Sequence, residues 1–202
     1  FGIEVSNTTI DLFTAGLSYN QIGGDSSVTN ASAQVSTNLK KNDFGFRSDA
    51  QMFRLQLEGG QLRGITREWD AYLHGVYVYS PDPLPDSERF SLGGPGNVRG
   101  YRPSEVRGDG GVLVNAELRR PFTLANRLGT LNFFYDIGVA RFKANPIQVD
   151  GTLTIQSVGA GVTYYPYPAV TLKLEFAVPV GNTIPSDGRN HGRAWMSLIG
   201  SF

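Results

Sequence analysis

Apolar and polar residues alternate along much of this chain with a period of two, the spacing that sends successive side chains of an extended strand to opposite faces. Val170, Leu172, Leu174, Phe176, Val178 and Val180 share one face of such a strand, and Thr171, Lys173 and Glu175 share the other. Between residues 131 and 139 the odd positions Leu131, Phe133, Tyr135, Ile137 and Val139 are apolar, whereas Asn132, Asp136 and Gly138 lie opposite. Val112, Val114, Ala116 and Leu118 likewise oppose Leu113, Asn115, Glu117 and Arg119. Weaker alternation covers residues 13–19, 31–39, 51–59, 69–79, 158–164 and 194–202. The pattern predicts roughly nine strands of about 9–11 residues, the length a tilted membrane strand requires.

The connections alternate in length. Counting back from the carboxyl end, 181–192 is long, 166–168 short, 143–152 long, 123–127 short, 81–111 very long, 60–66 short and 40–49 long, and only 21–30 blurs the rhythm. A soluble β-sandwich has similarly short connections at both ends. Outer-membrane barrels instead pair short periplasmic turns with long outer loops. That parity runs the last strand toward the periplasm, where Ala194, Met196, Leu198, Gly200 and Phe202 occupy alternate positions. A strand ending in an aromatic residue resembles the assembly signal read by the barrel-assembly machinery, which assigns that role to Phe202. No apolar run approaches the ~18 residues of a membrane helix, so any membrane span here is a barrel strand. The expected fold class is all-β, an antiparallel transmembrane β-barrel.

Composition narrows the chemistry. The 18 basic and 18 acidic side chains cancel, so no nucleic-acid-binding face is indicated. Cys is absent and the two histidines, His74 and His191, are far apart, so neither a metal centre nor a cofactor is expected. His74 shares a strand face with Asp70 and Tyr72 and reads as a wall residue, whereas His191 reads as solvated loop. No GxSxG elbow accompanies them, so the chain is not expected to be an enzyme. Gly94, Gly96 and Gly100 follow GxGxxxG, which is neither a dinucleotide fingerprint nor a Walker loop. Asp82, Asp86 and Glu88 lack EF-hand spacing, and Pro81, Pro83 and Pro85 read as loop kinks. The chain begins at Phe1 without an initiator Met or signal peptide and is read as an excised piece.

The longest connection, 81–111, is long enough to be functional rather than incidental. Its centre, 90–101, reads FSLGGPGNVRGY. A later strand carries Phe134, Tyr135, Asp136, Ile137 and Gly138, and 108–122 reads GDGGVLVNAELRRPF. These segments resemble two-partner secretion transporters, the haemolysin-activator (ShlB/FhaC-like) family of the POTRA-bearing BamA/TamA superfamily. The resemblance covers most of the chain from Phe90 onward, and the first 89 residues match mainly by pattern. It implies that the loop folds into the barrel lumen with Val98, Arg99, Gly100 and Tyr101 at its tip. It also implies that Arg99 meets Asp136 within the wall motif of Phe134, Asp136 and Gly138. Two arms of about 15 residues at ~3.3 Å each reach ~50 Å, more than the ~25 Å apolar band of such a barrel.

What the resemblance implies for the whole is a barrel of about sixteen strands, of which residues 1–202 form the C-terminal part, with the POTRA domains absent from this chain. The implied function is an outer-membrane pore that secretes an unfolded partner protein by two-partner (type V) secretion, with 81–111 as internal gate or anchor. The implied partners are the secreted client polypeptide, the barrel-assembly machinery and outer-membrane lipid, and the location is the bacterial outer membrane. Alternatives are an insertase that assembles other β-barrels and the barrel of a patatin-type lipolytic autotransporter.

Overall fold

The computed structural model describes residues 10–24, 27–41, 50–143, 150–188 and 191–200. Along the chain the strands are β1 (Leu12–Ile22), β2 (Val28–Asn38), β3 (Phe53–Gly64), β4 (Asp70–Tyr79), β5 (Phe90–Leu92), β6 (Val106–Gly108), β7 (Gly110–Leu124), β8 (Arg127–Phe142), β9 (Gly151–Tyr167), β10 (Val170–Val180) and β11 (Arg193–Gly200). A 3-10 turn, Asp86–Glu88, precedes β5. Nine strands form one sheet in the order β1-β2-β3-β4-β7-β8-β9-β10-β11, and β5 pairs with β6 separately. Neighbours in the large sheet are antiparallel throughout. The sheet is open, ending at β1 and β11. The expected nine strands are present, eight of them 10 residues or longer, and Phe202 lies outside the described residues.

Strand boundaries differ from the periodic reading because pairing continues past the point where alternation fades. β7, β8 and β9 run for 15, 16 and 17 residues. The β7–β8 connection shrinks to Ala125 and Asn126, both with positive φ, at 50° and 59°. That is the twist a two-residue hairpin needs. In the β3–β4 turn, Thr66 Oγ1 accepts the backbone N–H groups of Glu68 and Trp69. The rhythm blurred at 21–30 is continuous in the structure, because β1 and β2 are joined by the short link 23–27, with Gly23 N–H bonded to Ser27 O at 2.8 Å.

One face of the sheet is apolar and exposed. Leu17 is 83% exposed, Phe133 51%, Phe176 51%, Met196 76% and Leu198 70%. A soluble monomer rarely leaves such an apolar expanse uncovered. The opposite face is not uniformly polar. Near the long connections it carries Val78, Leu113, Ala140 and Ile155, which bury themselves against Phe90, Leu92, Val98, Tyr101 and Val106 of the 80–109 segment. The core of the molecule therefore lies between this segment and the sheet. A smaller cluster of Ala50, Met52 and Leu84 packs the start of the segment beside β3.

Residues 80–109 are thus a folded insertion rather than a bare loop, with a 3-10 turn and a short hairpin. Asp109 fixes its base. Its Oδ1 accepts Leu84 N–H at 2.8 Å and lies 3.4 Å from Arg89 Nε, while its Oδ2 accepts Lys143 N–H at 2.7 Å.

Candidate functional site: the arginine tip of the inserted loop

The tip turns on its own glycines and one asparagine. Gly93 and Gly94 adopt φ of 103° and 100°, and a Cβ on Gly93 would lie 2.3 Å from Arg102 O. Asn97 staples the turn: its Oδ1 accepts N–H groups from Gly93 (3.0 Å) and Val98 (2.8 Å), and its Nδ2 donates to Ser91 O (3.0 Å). This brings Val98, Arg99, Gly100 and Tyr101 against the inner face of the sheet. All four are buried, with Arg99 2% and Tyr101 0% exposed.

The floor beneath them follows from strand register. Asn115 of β7 pairs with Asp136 of β8, which pairs with Ser157 of β9, so three inward side chains form a row. Both neighbours donate to Asp136, Asn115 Nδ2 at 2.8 Å and Ser157 Oγ at 3.0 Å. Arg99 supplies three further donors to the same carboxylate: its backbone N–H (3.1 Å), Nε (3.0 Å) and Nη2 (2.6 Å). Asp136 is 0% exposed. The guanidinium grips it bidentately, a fork that lysine cannot reproduce.

Two more carboxylates complete the pocket. Arg99 Nη1 donates to Glu117 Oε1 of β7 at 2.7 Å and to Glu175 Oε1 of β10 at 2.8 Å. In a flat sheet β7 and β10 would be three strand spacings, ~14 Å, apart, so shared contact with one nitrogen means that the sheet curves around the tip. Outward from these carboxylates lie two more cations, Arg119 bonded to Glu117 at 2.8 Å and Lys173 to Glu175 at 3.0 Å. Arg99, Arg119 and Lys173 thus face Asp136, Glu117 and Glu175, a balanced set. Beneath the guanidinium, Phe134 places its ring centroid 3.3 Å from Arg99 Cζ. The ring itself lies over Gly159, where a Cβ would meet Phe134 Cζ at 2.4 Å.

Burial by itself would lower the pKa of Arg99. The hydrogen bonds and charge of Asp136, then Glu117 and Glu175, outweigh it and hold the group above its ordinary value, so the tip is a permanent cation.

Glycines allow the close approach. A Cβ on Gly138 would lie 2.8 Å from Leu92 Cδ2 and 3.0 Å from Val98 Cγ2. One on Gly100 would lie 2.7 Å from Ser157 Cβ and 2.8 Å from Pro179 N. The structure therefore brings Val98, Arg99, Gly100, Tyr101, Phe134, Asp136 and Gly138 into one contact region. Sequence reasoning gave Glu117 and Glu175 only a general place among inward charges. A mid-strand Glu on the polar face was the available signal, and only the three-dimensional curvature makes these two converge.

His74 also joins the network. Asn115 Nδ2 is committed to Asn97 O and Asp136, so its Oδ1 faces His74 Nδ1 at 3.1 Å, and His74 Nε2 contacts Glu58 Oε1 at 3.0 Å. His191 is exposed. Among the described residues no cluster of His, Asp and Glu is arranged to hold a metal ion.

Comparison with known proteins bears on this geometry. The heme/hemopexin transporter protein HuxB of Haemophilus influenzae strain 86-028NP is 24% identical over 167 residues, 80% of this chain and 29% of HuxB. A second HuxB from the same species is 23% identical over 180 residues, 87% of this chain and 31% of its own length. Protein TOC75 of rice (Oryza sativa subsp. japonica), chloroplastic, is 35% identical over 128 residues, 61% of this chain and 15% of TOC75. The chain spans less than a third of the curated relatives it matches. The exposed apolar face and these relatives place it in the bacterial outer membrane. The family model "Haemolysin secretion/activation protein ShlB/FhaC/HecB" matches residues 2–164, so the chain belongs to that family.

Proposed function

We propose that the full-length protein is an outer-membrane pore that passes an unfolded partner polypeptide, and that residues 80–109 are its internal gate, anchored by Arg99. Family membership supports the secretion role. The observation that carries the gate is the Arg99 side chain, 2% exposed and shared among Asp136, Glu117 and Glu175 on three strands. In a closed barrel the concave polar face is the lumen, and a folded insertion seated there obstructs it. Polar, directional bonds fix the orientation of the guanidinium, and the apolar packing of Leu92, Val98 and Tyr101 against the sheet holds the insertion in its seat. Val98, Gly100 and Tyr101 place the guanidinium, and Phe134 and Gly138 shape its seat. Biogenesis in this reading uses the barrel-assembly machinery, with Phe202 in its signal, and the apolar face contacts lipid.

The test is secretion of the partner protein by cells expressing the full-length transporter. Arg99→Ala or Asp136→Ala is expected to impair secretion strongly while the barrel still assembles in the outer membrane. Secretion equal to wild type in both variants would reject the gate.

A further inference from the structure

The tip is held from a second side that the tetrad and its wall motif do not account for. We propose that the β10–β11 hairpin is a clasp over the tip, with Trp195 and Arg193 as positioning residues, and that it must open before the loop can leave its seat. The inference rests on the reading of 80–109 as a gate.

Trp195 Nε1 donates to Arg99 O at 2.8 Å, and Arg193 Nε donates to Gly100 O at 3.2 Å. Two inward side chains of one strand thus take consecutive carbonyls of the tip. Neither bond serves the sheet, since β11 is already held by β10 in register from Val170↔Gly200 to Ala177↔Arg193. A carbonyl contact reads where the backbone is rather than which side chain it bears, so these bonds register the tip's position independently of the carboxylate floor.

The connector between β10 and β11 continues the clasp toward solvent. Tyr101 donates its hydroxyl to Thr183 O at 2.7 Å, and Ser186 N–H donates to Glu105 Oε1 at 2.6 Å. Arg102 Nη2 donates to Ser186 Oγ. Thr183 is itself tied to β9 through Thr154 O at 2.6 Å, and Arg193 is braced by Asp187 at 2.6 Å. Residues 183–186 therefore lie across the tip and not merely beside it: Tyr101 is 0% exposed beneath them, whereas Arg102 and Ser186 are exposed. The bonds to the floor are buried, those of Trp195, Arg193 and Tyr101 are half-buried, and those joining Ser186 to Arg102 and Glu105 are exposed. The exposed ones are where release begins, because water replaces them at little cost.

The geometry also provides the test. The 202 residues contain no Cys, so a pair introduced as Arg102→Cys and Ser186→Cys is the only thiol pair in this part of the protein, and any Cys elsewhere in the full-length chain is first replaced by Ser. Both positions are exposed and accept a short, reducible thiol-to-thiol bridging reagent. The bridge is expected to form in resting cells and to abolish secretion, and reductant is expected to restore secretion on the same molecules. Neither single variant should respond to the reagent. Reversal on already folded protein separates a moving clasp from a merely structural contact. Failure of the pair to bridge, or undiminished secretion by the bridged protein, would overturn the clasp. Normal secretion by Arg99→Ala would sink the gate reading on separate grounds, whatever the bridge does.

Discussion

At the scale of single residues, the site is one buried cation shared among three carboxylates, two of which also hold an outer cation, and its energetics are those of a buried network. Removing one partner of a buried ion pair costs about 3–5 kcal/mol because the remaining charge is stranded. Arg99→Lys should therefore behave like Arg99→Ala, since an ammonium cannot meet Asp136 bidentately and still reach Glu117 and Glu175. A secretion assay in which Lys supports wild-type activity would refute the bidentate requirement. Gly100→Ala is expected to impair secretion as severely as loss of Arg99. Its Cβ would collide with Pro179 N at 2.8 Å and Val178 C at 3.0 Å, backbone that cannot step aside. Full secretion by that variant would contradict the close seating. The Arg99 and Asp136 motifs were legible in the sequence through their resemblance to a family, and alternation put Asp136 on the inner face. Asn115, Ser157, Glu117 and Glu175 were legible only as polar positions on strands. Their convergence on Arg99 depends on register and curvature, which no local pattern encodes.

At the scale of elements, strand identity followed directly from side-chain alternation, and β10 occupies the stretch read for it, Val170–Val180. Boundaries were less legible where cross-strand pairing extends a strand through residues such as Arg120 and Pro121, which have no alternating apolar pattern. The β7–β8 hairpin illustrates the point. Ala125 holds φ of 50°, a region unfavourable for an L-residue with a Cβ, and nothing in its identity announces a turn. Ala125→Gly should stabilise the folded barrel by roughly 1 kcal/mol, because only the Cβ penalty is removed. A raised heat-denaturation midpoint of the full-length protein in detergent checks this, and a lowered one would argue against the two-residue turn. The insertion 80–109 was legible by length, but its internal hairpin β5–β6 was not: two three-residue strands lie below any useful periodicity.

At the scale of the molecule, the sheet presents an oily outer surface and a mixed inner one, and the mixture has a cause. Apolar inner residues such as Val78, Leu113 and Ile155 lie where the insertion covers them, and charged ones such as Arg119 and Lys173 lie beyond its tip. The inner surface is thus divided into a part built to bind the chain's own loop and a part left wet. Sequence alternation marks the inner face only as the more polar one, because it cannot tell a side chain covered by lipid from one covered by a loop. A gate of this kind requires the tip to be seated inside and held by Asp136. The most direct measurement of that seating is labelling of Val98→Cys by a membrane-impermeant maleimide, on intact cells expressing the full-length protein with any other Cys replaced by Ser. Val98 is 0% exposed beside the tip. Labelling is expected to be slow with Asp136 present and fast when Asp136→Ala is added. Equally fast labelling in both backgrounds would contradict that seating.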